Sequence, residues 1–119
     1  MIHLQLLGSV DLRDDLGVQL RPVLAQPKRL ALLAYLALGN GQSRRRDVVL
    51  AQFWPELDTA RARSALRQAL HHLRRELGED ALLIEGEGLA IDPAVIRCDV
   101  CEFEGALKAG DDAGSGADA

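Results

Sequence analysis

The fold is decided by the stretch Asp58-Thr-Ala-Arg-Ala-Arg-Ser-Ala-Leu-Arg-Gln-Ala-Leu-His-His-Leu-Arg-Arg-Glu-Leu-Gly78, which predicts one helix with defined ends. Asp58 is a suitable N-cap, because its carboxylate can accept from the backbone donors that the first helical turn leaves unpaired. Gly78 can adopt the left-handed conformation that commonly ends a helix. Arg74 and Arg75 lie in the last turn, where the helix dipole favours cations. We therefore expect a helix between these two capping residues.

The two faces of this helix differ in chemistry. Apolar residues recur at steps of three and four and form one stripe, made of Ala62, Ala65, Leu66, Ala69, Leu70, Leu73 and Leu77. The opposite face carries long donors and amides, namely Arg61, Ser64, Arg67, Gln68, His71 and Arg75, with Arg63 at its edge. Such side chains can reach base edges and phosphates in a DNA major groove. The alternative is an ordinary solvated face, but such faces usually mix signs, and Glu76 is the only acid within this helix.

Charge is distributed unevenly along the chain. The 119 residues suit one domain, and an apolar fraction of 48% is enough for a core. The formal net charge is −4, which by itself argues against a polyanionic partner. Residues 1–42 carry +1, residues 43–78 carry +4 and residues 79–119 carry −9. Because the local field steers a polyanion more than the total charge does, the middle segment remains a candidate for DNA binding.

The segments before this helix predict a small sheet followed by two more helices. Residues 2–7, 10–13 and 18–21 alternate apolar and polar positions between turn signals, which indicates an antiparallel sheet. Pro27 suits the first turn of a helix, and residues 28–38 are apolar almost all round, so this helix should be buried on most sides. The sequence Gly-Asn-Gly at residues 39–41 should end it.

A shorter helix should run from a cap at Ser43 to about Trp54, with Val49, Leu50, Phe53 and Trp54 facing inward. Pro55 prevents its continuation. Trp54 could be a ligand platform, but its place on the apolar face favours a core role. The arginines Arg44, Arg45 and Arg46 would then lie at the start of this helix, where cations and free amides both suit phosphate. Two helices joined by a tight turn, the second one basic, indicate a helix-turn-helix.

The segment after residue 78 predicts a β-hairpin. Residues 81–84 and 89–91 are apolar and flank the loop Glu-Gly-Glu-Gly at residues 85–88. A helix-turn-helix with a trailing hairpin is a winged helix. The predicted fold class is therefore α+β, a winged helix-turn-helix with an N-terminal antiparallel sheet, three helices and a C-terminal β-hairpin wing. Residues 93–100 should be extended and 102–109 a short helical turn, and the Gly/Ala/Asp/Ser-rich chain from 110 onward should be disordered.

The sequence resembles the OmpR-type winged-helix DNA-binding domain in its SARP form, the N-terminal domain of bacterial transcriptional activators in which a helical bacterial transcriptional activator domain follows. The resemblance lies in Lys-Arg-Leu-Ala-Leu-Leu-Ala-Tyr-Leu at residues 28–36, Arg-Asp at 46–47, Phe-Trp-Pro at 53–55 and Ala-Arg-Ser-Ala-Leu-Arg-Gln-Ala-Leu at 62–70. It extends to Leu73-Arg74, Leu77-Gly78, Cys-Asp-Val at 98–100 and Phe103.

This resemblance implies a four-stranded N-terminal sheet, three helices and a hairpin, with the third helix in the major groove. It also implies double-stranded promoter DNA as the partner, bound at direct repeats, together with contact with RNA polymerase, and it allows a homodimer on DNA. Residues 1–97 would be the winged-helix domain, and residues 98–119 either the start of a following helical activator domain or an acidic tail.

One departure from that pattern keeps a second function open. The predicted wing tip carries Glu85 and Glu87, where a cationic or neutral loop would suit contact with phosphate. The acidic last third of the chain adds to this charge. Both features would favour a winged helix used for protein–protein contact without DNA binding.

Other chemistry has little support in the sequence. Cys98 and Cys101 form a CxxC, which could be a redox pair or half of a zinc site. A four-ligand site needs a second pair, and the adjacent His71 and His72 point to different sides of a helix, so a structural role is favoured. We find no phosphate loop, catalytic triad or paired carboxylates, and expect no enzymatic activity, cofactor or metal. No segment is apolar enough for a membrane span, and a cytoplasmic location is expected by default.

Overall fold

The computed structural model describes the backbone of residues 1–118 and the side chains of residues 1–110. This part of the chain forms an α+β fold with five α-helices and two three-stranded sheets. In chain order the elements are β1 Ile2–Gln5, β2 Asp11–Arg13, α1 Arg21–Leu24, α2 Pro27–Leu38, β3 Arg44–Arg45, α3 Arg46–Phe53, α4 Thr59–Leu77, β4 Leu82–Glu85, β5 Gly88–Ile91, β6 Ile96–Cys98 and α5 Asp99–Asp118. A 3-10 turn, Glu79–Ala81, joins α4 to β4. No helix in this part of the chain has the length and apolar character that a membrane span requires.

The N-terminal sheet has the strand order β2-β1-β6. Strand β1 pairs with β2 antiparallel and with β6 parallel, so Ile2 lies opposite Ile96. The strands predicted at residues 2–7 and 10–13 are therefore confirmed as β1 and β2, but the sheet is mixed and its third strand, β6, lies some eighty residues further along the sequence. The four-stranded N-terminal sheet implied by the resemblance is not present in residues 1–118.

The predicted third strand at residues 18–21 is wrong. Only Gln19 pairs there, as an isolated bridge to Arg13, and helix α1 begins at Arg21. Pro22 lies in the first turn of that helix. Proline lacks the backbone donor that a strand ladder needs and its fixed φ suits a helical first turn, which explains the difference. Helix α1 was not predicted, whereas α5 contains the short helical turn that was expected at residues 102–109.

Helix α2 begins at Pro27, as expected, and Leu32, Leu33, Leu36 and Ala37 on it are buried. It is less enclosed than its apolar sequence suggested, because side chains such as Leu38 are exposed. The predicted end is confirmed. After the C-cap Gly39, the chain reverses through Asn40 and Gly41, both at positive φ.

Helix α3 begins later than predicted. Ser43 does not cap it; Arg45 is the N-cap and makes no side-chain capping bond. Arg44 and Arg45 instead form strand β3, which pairs with Leu89 and Gly88 of β5. The expectation that three arginines begin this helix is therefore wrong for the first two, since only Arg46 lies in it.

Helix α4 matches the prediction closely. The Asp58 carboxylate accepts from the backbone N–H of Arg61 at 2.8 Å, and the helix runs from Thr59 to Leu77. Gly78 ends it at positive φ, but with φ 96° and ψ 155° rather than in the left-handed helical region that was expected. That extended, positive-φ conformation is one that glycine alone adopts readily.

Helices α2, α3 and α4 enclose one hydrophobic core. The buried residues from α2, α3 and α4 pack with those of both sheets into a single cluster. The predicted core side chains all belong to it: Leu33, Leu36, Trp54, Leu66, Leu70 and Leu73. Trp54 is only 7% exposed, which confirms the core interpretation of this residue.

The predicted β-hairpin is confirmed as strands β4 and β5. Leu82 lies opposite Ile91 and Glu85 opposite Gly88, and Gly86 and Glu87 form the two-residue turn. Gly86 has φ 58°, as a tight hairpin turn often requires. Strand β3 adds to the open side of β5, so the hairpin is fixed to the segment that precedes α3.

The chain after the hairpin returns to the N-terminal sheet before entering α5. Residues 93–100 were expected to be extended, but only β6 is, and α5 begins at Asp99. Strand β6 crosses the predicted boundary between residues 97 and 98, and Cys98 is buried in the core. The chain from residue 110 onward was expected to be disordered, but the described backbone continues α5 to Asp118. The side chains from residue 111 onward lie outside the described residues. The following activator domain stays a prediction.

Candidate nucleic-acid interface

The outward face of α4 is presented by a helix that is anchored along its other side. Leu66 and Leu73 are fully buried and Leu70 is 4% exposed, so rotation of α4 about its axis would expose the core. The polar side chains predicted to read DNA are all exposed, namely Arg61, Arg63, Ser64, Arg67, Gln68, His71 and Arg75. The structure therefore places every helix residue of the predicted site on accessible surface.

These exposed residues divide into two groups by direction. At roughly 100° per residue, Ser64, Gln68 and Arg75 point almost directly away from the buried leucines. Arg63 and Arg67 follow buried residues by one position each, so they are turned toward one flank of the helix. Arg63 lines a cavity that also includes Glu87, which shows that this flank faces the hairpin turn.

The predominantly cationic or neutral character predicted for this face also holds in three dimensions. In residues 1–110, Arg63, Arg67 and Arg75 form no ion pair with a carboxylate. Arg61 lies 3.6 Å from the Asp58 carboxylate, an exposed contact one turn back along the helix. The outward face of α4 therefore carries net positive charge that is mostly uncompensated.

The three arginines before and within α3 are placed differently from one another. Arg44 lies with its guanidinium carbon 5.1 Å from the centre of the Tyr35 ring, a cation–π contact that holds it against α2. Arg44 and Arg46 are half-buried, and the Nε atom of each is buried without an acceptor among the described residues. Arg45 is exposed. Only Arg45 is thus fully accessible, and Arg44 and Arg46 present part of their side chains.

Arg45 has acidic neighbours on two sides. Its Nε donates to Asp47 Oδ1 at 3.1 Å and its Nη2 to Asp47 Oδ2 at 3.3 Å. This pair lowers the pKa of Asp47 below its ordinary value and raises the pKa of Arg45. The negative charge of Glu87 also raises the pKa of Arg45, so the hairpin turn contributes to the same field.

The hairpin turn is held against the start of α3. The backbone N–H of Arg46 donates to the Glu87 carbonyl at 2.8 Å. A cavity of about 360 Å³ lies between this turn, α3 and the first turns of α4. Its walls include apolar residues, among them Leu50, Trp54 and Leu57, and its rim carries Asp47, Arg63 and Glu87. The hairpin, α3 and α4 thus form one continuous surface of mixed charge.

The cysteine pair lies away from this surface, between β6 and α5. Both thiols are free; Cys98 is buried, and Cys101 Sγ donates to the Ala37 carbonyl at 3.2 Å. Burial and the neighbouring Cys98 raise the pKa of the Cys101 thiol to about 11. A thiol with that pKa is almost wholly protonated at neutral pH and is a poor nucleophile. Among the described residues, no three His, Cys, Asp or Glu side chains cluster as a metal site would require.

Sequence reasoning missed two parts of this surface. Glu87 was not identified as a neighbour of Arg45, because the hairpin turn and β3 are some forty residues apart in the chain, and the nearby Asp47 was overlooked. The contact between Arg44 and Tyr35 was missed as well. An available signal was the acid two positions after Arg45, a spacing that permits a local ion pair.

Comparison of the chain with models of known protein families and with curated proteins finds no match.

Proposed function

We propose that this domain is the sequence-specific DNA-binding domain of a bacterial transcription regulator. In this proposal α3, the turn after it and α4 are a helix-turn-helix, and the β4–β5 hairpin is the wing. Helix α4 enters the major groove of double-stranded DNA. The proposal agrees with the resemblance to OmpR-type, SARP-like domains.

One observation carries the proposal, namely the exposed cationic and amide face of α4 on a helix whose opposite side is buried. A side chain can discriminate bases only if its backbone is held in place, because a loose helix loses binding energy to ordering. The buried leucine stripe supplies that support. Residues 59–77 contain five arginines and a single acid, Glu76, which is half-buried.

The directions of the side chains assign their roles within the proposal. Gln68 and Ser64 point straight outward near the middle of α4, where recognition helices meet base edges, and Gln68 suits adenine. Arg67 lies on the flank toward the hairpin and is the candidate for guanine, because its rigid fork matches two acceptors on that base. The remaining predicted contacts are Arg61, Arg63, His71 and Arg75 on α4, and Arg44, Arg45 and Arg46 on the phosphate backbone.

The protein-contact alternative has its own supporting observation. The hairpin exposes Glu85 and Glu87 at its tip and Leu83, which is 46% exposed, on a strand leading to it. An acidic tip with an adjacent apolar residue suits a basic, partly apolar protein surface. The two functions are compatible within one regulator: α4 would bind a promoter while the hairpin contacts another protein. RNA polymerase, a second copy on direct repeats and the promoter itself are partners that only the resemblance supports.

The proposed function is tested by selecting bound duplexes from a random DNA pool and measuring affinity for the selected and for random sequences. Arg67→Ala should lose about 1–3 kcal/mol of binding free energy on the selected sequence and much less on random DNA. Arg13→Ala, an exposed arginine in the N-terminal sheet, is the matched control and should change neither. Equal losses on both sequences would make Arg67 a phosphate contact. No enrichment of any sequence, with no salt-dependent binding, would rule out the proposed function.

A further inference from the structure

We infer that Asp47 and Glu87 are an intramolecular competitor for DNA phosphate at Arg45, and that they lower the affinity of the domain for DNA of any sequence. This inference rests on the proposed function. It assigns to two acidic residues the role of limiting the part of the DNA affinity that does not depend on base sequence. Arg45 is the residue through which they act.

The Asp47 carboxylate occupies one of the edges at which the Arg45 guanidinium can bind a phosphate with two hydrogen bonds. The contacts of 3.1 Å and 3.3 Å join Nε and Nη2 of the guanidinium to the two carboxylate oxygens. This paired arrangement is the same geometry in which a guanidinium binds two phosphate oxygens. A phosphate that approached this edge would therefore have to displace Asp47 first.

The second acid is kept in place by the backbone. Glu87 lies in the hairpin turn, and its carbonyl accepts from Arg46 N–H at 2.8 Å. Arg45 lies opposite Gly88 in the β3–β5 ladder, so the turn cannot move away without breaking that ladder. The negative charge of Glu87 thus remains near Arg45 and would repel an approaching phosphate.

The restraint is weak enough for DNA to overcome. The side chains of Arg45 and Asp47 are 74% and 65% exposed, and exposed ion pairs are screened by water and salt. The pair therefore reduces the contribution of Arg45 without abolishing it. Because phosphate contacts carry binding to random DNA, the reduction should be the same on every sequence. The result is weaker binding and faster release on DNA of every sequence.

The test is a double-mutant cycle on random duplex DNA, with affinity measured over a range of salt concentrations. Asp47→Asn keeps the oxygen that accepts from Val48 N–H at 2.9 Å, removes the charge, and replaces the oxygen that accepts from Arg45 Nη2 with an amide donor. It should tighten binding by about two- to fivefold, the range expected for an exposed ion pair. The slope of log affinity against log salt should steepen by about one. In an Arg45→Ala background the same substitution should have little effect on affinity or slope.

Asp80→Asn is the matched control, because Asp80 is an exposed acid that follows the far end of α4. It reports the effect of removing one negative charge anywhere on the domain. Glu87→Gln is an independent second variant and should also tighten binding only when Arg45 is present. It keeps the inference testable if Asp47→Asn, which lies in the first turn of α3, proves poorly folded by circular dichroism.

The outcomes separate the inference from the proposed function. If Asp47→Asn and Glu87→Gln tighten binding equally with and without Arg45, the effect is one of net charge and the inference is wrong. If wild type binds random DNA in a salt-dependent manner but neither substitution strengthens it, the inference fails while the proposed function stands. If no variant shows salt-dependent binding, the proposed function itself fails.

Discussion

Leu70→Ala tests the orientation of α4, on which the assignment of its outward face depends. Leu70 is 4% exposed, between the fully buried Leu66 and Leu73. The substitution removes three carbon atoms from the core, which at about 0.8 kcal/mol each loses about 2.4 kcal/mol of transfer free energy. The cavity left behind adds to this, so we expect about 3–4 kcal/mol less unfolding free energy. A domain of this size typically has 5–15 kcal/mol in total, so the variant should remain folded.

Urea denaturation monitored by circular dichroism measures this loss, with Gln68→Ala as the control on the opposite side of the same helix. Gln68 is exposed and has no hydrogen-bond partner in the described part of the chain. Its removal should change the unfolding free energy by less than about 0.5 kcal/mol. The orientation of α4, and the interface built on it, would be refuted if Leu70→Ala lost less than about 1 kcal/mol of unfolding free energy. It would also be refuted if Gln68→Ala lost more unfolding free energy than Leu70→Ala.

Two further predictions concern conformation and pH. Gly78→Ala should cost about 1–3 kcal/mol of unfolding free energy in the same denaturation assay. No atom would obstruct a Cβ at this position, but a backbone at φ 96° and ψ 155° is strained for any residue that has one. An unchanged denaturation midpoint would mean that the turn after α4 adopts another conformation. Partial burial would raise the pKa of Asp99, but donors from the Leu6, Leu7 and Val100 backbones outweigh it and hold that pKa below the ordinary 3.8. This stabilisation is present above pH 3.8 and is lost as the pH falls through the lower folded-state pKa. Asp99→Asn should therefore lower the unfolding free energy by about 1 kcal/mol at neutral pH, and by less in denaturation curves recorded below pH 3.8. A loss of unfolding free energy that does not change with pH would assign the effect to packing.

The sequence predicted α4 because its signals are local and agree with one another. The Asp58 cap, the three- and four-residue apolar spacing and the terminal Gly78 all act within one helix, and none depends on distant residues. The β4–β5 hairpin was predictable for the same reason, since its strands are separated by two residues. The exposed polar residues of α4 could be predicted because they lie opposite its apolar stripe.

Elements that depend on distant partners could not be predicted in this way. Strand β3 is only Arg44 and Arg45, two residues of ordinary helix propensity, and it exists because the edge of β5 is available to pair with them. The polar Ser43 looked like a helix cap because nothing nearby showed that strand. The same limit applies to Glu87, which the hairpin brings close to Arg45.

The position of β1 at the centre of its sheet has a consequence for folding order. Its pairing of Ile2 with Ile96 closes a loop of some ninety residues. Contacts this distant in sequence form late, because their loop-closure entropy is recovered only after intervening elements have collapsed. During synthesis the first strand would leave the ribosome long before its partner and would expose an unpaired edge in the meantime. Helices α2 to α4 can assemble during that interval, and the pairing of β1 with β6 would complete the domain.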